Sequence, residues 1–151
     1  MPLNSRQINK FTLFKLPSAY FCGVRVKSIS EDKCITSVKH RWINQNPFRS
    51  MFWAVQGMAA ELSTGALVMS CIRDSDHNIS MLVANNRATF LKKATGRINF
   101  TCKDGLLIEQ AIKKTIDTGD GQTCRMKAEG LNSKGITVSV FEFEWTVKLK
   151  N

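Results

Sequence analysis

Residues 48–71 read FRSMFWAVQGMAAELSTGALVMSC, and the reading of this stretch decides the fold. It is apolar nearly all round at helical length, which is the signature of a helix buried in a core. Glu61 is its only acid, and Arg49 is the only cation nearby. A lone buried carboxylate costs several kcal/mol or more, so it has to be paired, neutralised or employed. The stretch approaches membrane-spanning length, but Arg49, Gln56, Glu61 and Ser63 interrupt it, so a core helix is expected rather than a span. Gly57, Ala59, Ala60, Gly65 and Ala66 are small and would let a sheet approach closely. Two helix starts fit. Asn46 could cap with Pro47 at the first helical position, or Ser50 could cap with Met51 first. The central helix is accordingly expected over about residues 47–73.

Outward from this helix, strands dominate. On the N-terminal side, Asn4 to Leu16 carries Ile8, Phe11, Leu13 and Phe14 at helical spacing, and Pro17 ends that helix. Phe21 to Ser30 and Cys34 to Trp42 read as a hairpin turning at Glu31-Asp32-Lys33. On the C-terminal side, Asn78 to Leu91 reads as a long strand. Thr95 to Lys103 alternates, with Ile98, Phe100 and Cys102 on one face. Leu106 to Ile116 looks helical. Gln122 to Leu131 and Gly135 to Leu149 form a last hairpin, with a bulge expected near Val140, where the apolar phase changes. One apolar helix and five to six strands predict an α+β domain, a curved antiparallel sheet wrapped round a central helix. The 151 residues suffice for one such domain, 1–151, with an N-terminal helix over 1–17.

Composition narrows the function. Five cysteines at wide spacing, with no C-x-x-C, fit free thiols in a reducing compartment, and a cytoplasmic location is expected. With only His40 and His77 to add, neither a metal site nor a cofactor is expected. The polar N-terminus has no apolar run of signal-peptide type. The net charge of +10 favours an anionic partner, but the basic residues are dispersed and match no nucleic-acid motif. Neither a nucleic-acid nor a membrane partner is expected.

The motifs Asn46-Pro47-Phe48, Met51-Phe52-Trp53-Ala54, Met58-Ala59-Ala60-Glu61-Leu62 and Phe90-Leu91-Lys92-Lys93-Ala94-Thr95-Gly96 give the chain a family likeness. From about Phe21 to Leu149 it resembles hotdog-fold acyl-CoA thioesterases of the phenylacetyl-CoA thioesterase-like kind, nearest to an uncharacterised branch. The resemblance implies that Glu61 acts as general base or nucleophile on a thioester. It implies that Asn46 holds the attacking water or the substrate, and that the backbone N–H at Trp53, beside Phe52, polarises the thioester carbonyl. It places CoA phosphates near Lys92, Lys93 and Arg97. It also implies an acyl-CoA or related substrate and a homodimer, with a tetramer as the next assembly, whose acyl tunnel lies between protomers. Ser63 and Thr64, within a turn of Glu61, could hold a water, although such hydroxyls more often bond back to helix carbonyls. Many active relatives carry His-Gly-Gly where this chain has Phe52-Trp53-Ala54. A non-catalytic acyl-CoA binding protein is therefore the alternative reading.

Overall fold

The computed structural model describes residues 2–151. A capped helix opens the chain. In α1 (Ser5–Lys15), Asn4 accepts from the Gln7 N–H, and the Gln7 side chain accepts from the Asn4 N–H. This reciprocal box satisfies two donors that a helix start leaves free. Pro17 ends α1 as expected, but it also begins α2 (Pro17–Phe21), so Phe21 is helical rather than the start of a strand. The first hairpin is shorter at both ends than its apolar pattern suggested: β1 is Arg25–Ile29 and β2 is Cys34–Lys39. Trp42 leaves the strand for a 3-10 turn, Trp42–Asn44.

The long helix α3 runs Trp53–Ser75, so it starts six residues later than expected and ends two later. Neither Asn46 nor Ser50 caps it; Phe52 stands at the N-cap without a side-chain bond. Asn46 Oδ1 instead accepts from the N–H groups of Phe48 and Ser50, closing a side-chain turn, and Arg49 takes φ +61°. A left-handed residue cannot continue a helix, so the chain re-enters extended backbone at Met51 before α3 begins.

After α3 come β3 (Ile79–Phe90), β4 (Arg97–Cys102), α4 (Gly105–Thr118), β5 (Gln122–Leu131) and β6 (Thr137–Leu149). All six strands join one antiparallel sheet in the order β1-β2-β4-β5-β6-β3. The irregularity in β6 lies at Val138, because Gly130 pairs Ser139 while Leu131 pairs Thr137. It therefore falls two residues before the bulge expected at Val140. From Ser139 onward the alternation is clean, and Phe141, Phe143, Trp145 and Val147 all point inward and are buried.

The sheet curves round α3, and the small residues of the helix explain how closely. A Cβ on Gly65 would lie 3.1 Å from the Trp145 ring. Ala59, Ala60 and Ala66 are fully buried, and Thr36 Oγ1 on β2 donates to the Ala59 carbonyl at 2.7 Å. Val26, Val38, Ile98, Phe100, Met126 and Val147 complete the inner face. At about 1.5–3 kcal/mol for each fully buried large apolar side chain, this contact is the main support of the fold. By length and composition α3 could cross a membrane, yet two-thirds of its apolar window is buried inside the protein.

Candidate active site

The two halves of α3 differ in their surroundings. From Leu62 to Val68 every residue is buried, with α4 and the sheet closing round the helix. From Trp53 to Glu61 one side stays open. Trp53 and Glu61 are exposed, and Ala54, Gly57 and Met58 are partly so. Positions 53, 57 and 61 recur one turn apart and form a stripe. Glu61 is thus at the end of an open face, not inside the core as the apolar sequence suggested. Among the described residues it makes no ion pair. The apolar helix around it still withdraws enough water to push its carboxyl above the usual carboxylate range.

The helix start is the second element of the site. The N–H of Met51 donates to the Ala94 carbonyl at 2.8 Å, and that of Phe52 to the Asn44 carbonyl at 2.9 Å. A helix capped by Ser50 would leave both free; neither is. The N–H groups of Trp53 and Ala54 have no acceptor among the described residues. They carry the positive end of the helix dipole and suit a developing negative charge. Trp53 borders a cavity of about 480 Å³ whose wall also includes Asn46, Phe48, Phe52, Gln56 and Phe90. Lys92 and Lys93 stand on its rim, and Lys93 Nζ donates to the Phe48 carbonyl at 3.3 Å.

The structure therefore gathers Asn46, Phe52, Trp53, Lys92 and Lys93 round one cavity. It does not bring Glu61, Ser63, Thr64 or Arg97 to it. The Asn46 amide is spent on its own loop, since besides the two N–H groups it bonds Ser50 Oγ at 3.0 Å. Ser63 Oγ donates to the Ala60 carbonyl. Thr64 Oγ1 donates to the Glu61 carbonyl and accepts from Trp145 Nε1 at 2.8 Å. Both hydroxyls are buried and committed to the protein. Arg97 donates to Ser37 Oγ, away from the cavity.

Sequence reasoning missed Gln56, which lines the cavity while buried. Its Oε1 accepts from Ser139 Oγ at 2.8 Å, and its Nε2 reaches the Met51 carbonyl at 3.4 Å. The signal was present, because Gln56 is the one amide in the apolar stretch. A second cavity, of about 360 Å³, lies between α3 and α4. Its walls carry Glu31, Asp74, Glu109 and Asp117, a poor match for a polyphosphate. Burial, with Glu109 and Asp74 adding, pushes the Cys71 thiol there up to about 11. Burial likewise raises Cys34 and Cys102 to about 12. These thiols stay protonated near neutral pH and offer no nucleophile.

Residues 4–147 match the family described as a domain of unknown function (DUF4442), and the chain belongs to it. No curated protein matches the sequence. Among solved structures, the fold is similar to PA5026 of Pseudomonas aeruginosa, described as a protein of unknown function and probable thioesterase. That match has TM-score 0.86 at 18% identity, over 99% of each chain. Thioesterase HI1161 of Haemophilus influenzae matches with TM-score 0.74 at 11% identity, over 99% of this chain and 93% of that one. The PaaI protein of the Escherichia coli phenylacetic acid degradation operon matches with TM-score 0.66 at 14% identity, over 95% and 92%. The fold is the hotdog fold, as the sequence resemblance implied.

Proposed function

We propose that the protein hydrolyses an acyl-CoA or related thioester as a homodimer, with Glu61 as the general base or nucleophile. One observation carries this reading: Glu61 is a poorly solvated carboxylate on an open face of the core helix, with no ion-pair partner among the described residues. A carboxylate of raised basicity accepts a proton from water more readily than an ordinary one. In the base route, water attacks the thioester carbon while Glu61 takes its proton. The oxyanion is held by the Trp53 N–H, the C–S bond breaks, and the thiolate leaves with the proton from Glu61. Asn46 acts through its loop, holding the chain so that the Trp53 N–H faces the cavity. Lys92 and Lys93 supply positive charge at the mouth, where CoA phosphates would lie.

Within one chain, Glu61 lies eight residues beyond Trp53, a rise of roughly 12 Å. One thioester carbonyl does not span that separation. A second copy on the open face of α3 would bring its own Trp53 amide to this Glu61. The outer edge of β3 is free for such pairing, twelve residues long and paired only to β6.

The rival reading is a pocket that holds acyl-CoA without turnover. It rests on the bulky Phe52 and Trp53 rings, in edge-on contact at 5.9 Å, where smaller residues would leave more room. A panel of acyl-CoA thioesters of varied chain length, assayed by free-thiol release with the native chain and Glu61→Gln, separates the two. Turnover lost in the variant supports hydrolysis. Binding of a non-hydrolysable analogue without turnover by the native chain supports the rival.

A further inference from the structure

The N-terminal layer exposes apolar side chains that nothing among the described residues covers. Helix α1 is docked by Ile8 and Thr12, which are buried, while Phe11 and Phe14 are left exposed, Phe14 by 69%. Leu16 and Phe21, in the segment that follows, are exposed as well. The 3-10 turn adds Trp42, 82% exposed, and Ile43. This turn is fixed beside the end of α2: Asn44 Nδ2 donates to the Cys22 carbonyl at 2.9 Å, and the Arg41 guanidinium packs over Gly23. Trp42 and Ile43 are therefore held near Phe21. Exposed phenyl and indole rings mixed with leucine and isoleucine are unusual on a surface meant for water.

The charge of the same layer is one-sided. Residues 2–30 contain Arg6, Lys10, Lys15, Arg25 and Lys27 and no acid, and residues 34–60 contain Lys39, Arg41 and Arg49 and no acid before Glu61; the hairpin turn between the two ranges is mixed, with Glu31, Asp32 and Lys33. Arg6, Lys10 and Lys15 are exposed on α1 beside the phenylalanines. Aromatic and aliphatic side chains edged by lysine and arginine match the boundary of an anionic lipid layer, where rings enter the acyl boundary and cations meet the headgroups. A second copy fits worse, since two such layers face to face would set cation against cation. A nucleic acid would use the rings and cations but would leave Leu16 and Ile43 without a hydrocarbon partner.

We propose that this layer docks the protein reversibly on an anionic lipid surface, with α1 lying in the interface plane. This revises the expectation of no membrane partner in one respect: the chain would lie on a bilayer, not cross it. It does not depend on the thioesterase reading.

The test is co-sedimentation of the full chain with phosphatidylcholine vesicles, with and without phosphatidylglycerol, beside a fluorescence titration with a single-stranded RNA. We expect binding only when phosphatidylglycerol is present, weakening as salt is raised. Phe14→Ser/Phe21→Ser and Lys10→Glu/Lys15→Glu should each weaken it by about tenfold or more while their melting curves stay native. Brominated acyl chains should quench fluorescence in the native chain and do so less in Trp42→Phe. Equal binding to neutral vesicles, no binding to either kind, or native-like binding by both double variants would overturn the proposal. So would RNA binding through the same residues without vesicle binding, or patch-dependent self-association in its place.

Discussion

The two edges of the sheet are finished in different ways. At β1, α1 lies along the strand, and the Asn9 carboxamide both accepts from the Val26 N–H at 2.7 Å and donates to the Val26 carbonyl at 3.0 Å. One side chain there plays the part of a missing neighbouring strand. At β3, twelve residues run along the opposite edge, paired to β6 on one side and with no strand on the other among the described residues. Bare edges invite pairing and are normally blunted or covered. The contrast teaches that this fold is closed at one edge of its sheet and left open at the other, as it is along the stripe of α3 that ends at Glu61. Changes at the open end should alter activity and assembly with little effect on folding. Changes at the closed end should do the reverse.

The largest expected effect is at the open end. Glu61→Gln should lower kcat/KM for an accepted acyl-CoA by roughly 10²-fold or more, the range of a lost general base, with an unchanged fold by circular dichroism. The pH profile sharpens the point. The base must be ionised, so activity should fall on the acid side at a pH above the ordinary carboxylate range, because desolvation raises the Glu61 pKa. Stability should run with the opposite sign. A carboxyl raised in the folded state binds more protons there than in the unfolded chain, so its contribution is present at low pH and is lost as pH rises through the folded value. Glu61→Gln should abolish that slope in a series of thermal melts.

A change confined to the bare edge comes next. Ala84→Lys/Asn86→Lys places like charges along exposed β3 positions, a natural way of discouraging edge pairing. Analytical ultracentrifugation should show dimer dissociation strengthened by at least about tenfold, with thiol release falling in parallel and thermal stability preserved. Activity persisting in a fully monomeric variant would break the comparison. At the covered edge, Asn9→Ala should cost about 2 kcal/mol in urea unfolding, since it strands two backbone groups of β1, and should leave kcat/KM per folded molecule unchanged.

How much of this was readable from sequence varies by element, for physical reasons. The alternation of Ile98, Phe100 and Cys102, the phase of Phe141 to Val147 and the apolar run of α3 are periodic signals, and each marked its element correctly. The start of α3 was not readable, because Asn46, Pro47 and Ser50 are the residues of helix caps and of turns alike. The bonds from Met51 to Ala94 and from Phe52 to Asn44, with the bridge of Met51 to Gln45, show that the chain is still extended there. Phe21 was read as strand because Pro17 is equally a stop and a first helical residue. The exposure of Glu61 was hidden for a different reason: an apolar helix face left open reads in sequence like one buried in a core. Gln56 showed as an interruption, but its bond to Ser139, 83 positions away, leaves no local trace.

The most direct measurement is complementation between two inactive chains. Trp53 is the first residue of α3, with a free N–H and a preceding residue at φ −59° and ψ 135°, so Trp53→Pro removes the donor where proline is tolerated. Glu61→Gln and Trp53→Pro should each be nearly dead alone. If the acid of one subunit serves the helix start of the other, unfolding and refolding them together in equal amounts should restore thiol release to about a quarter of the native rate, through mixed dimers with one intact site. A mixture that forms heterodimers yet stays as inactive as its components would contradict a site shared across the interface.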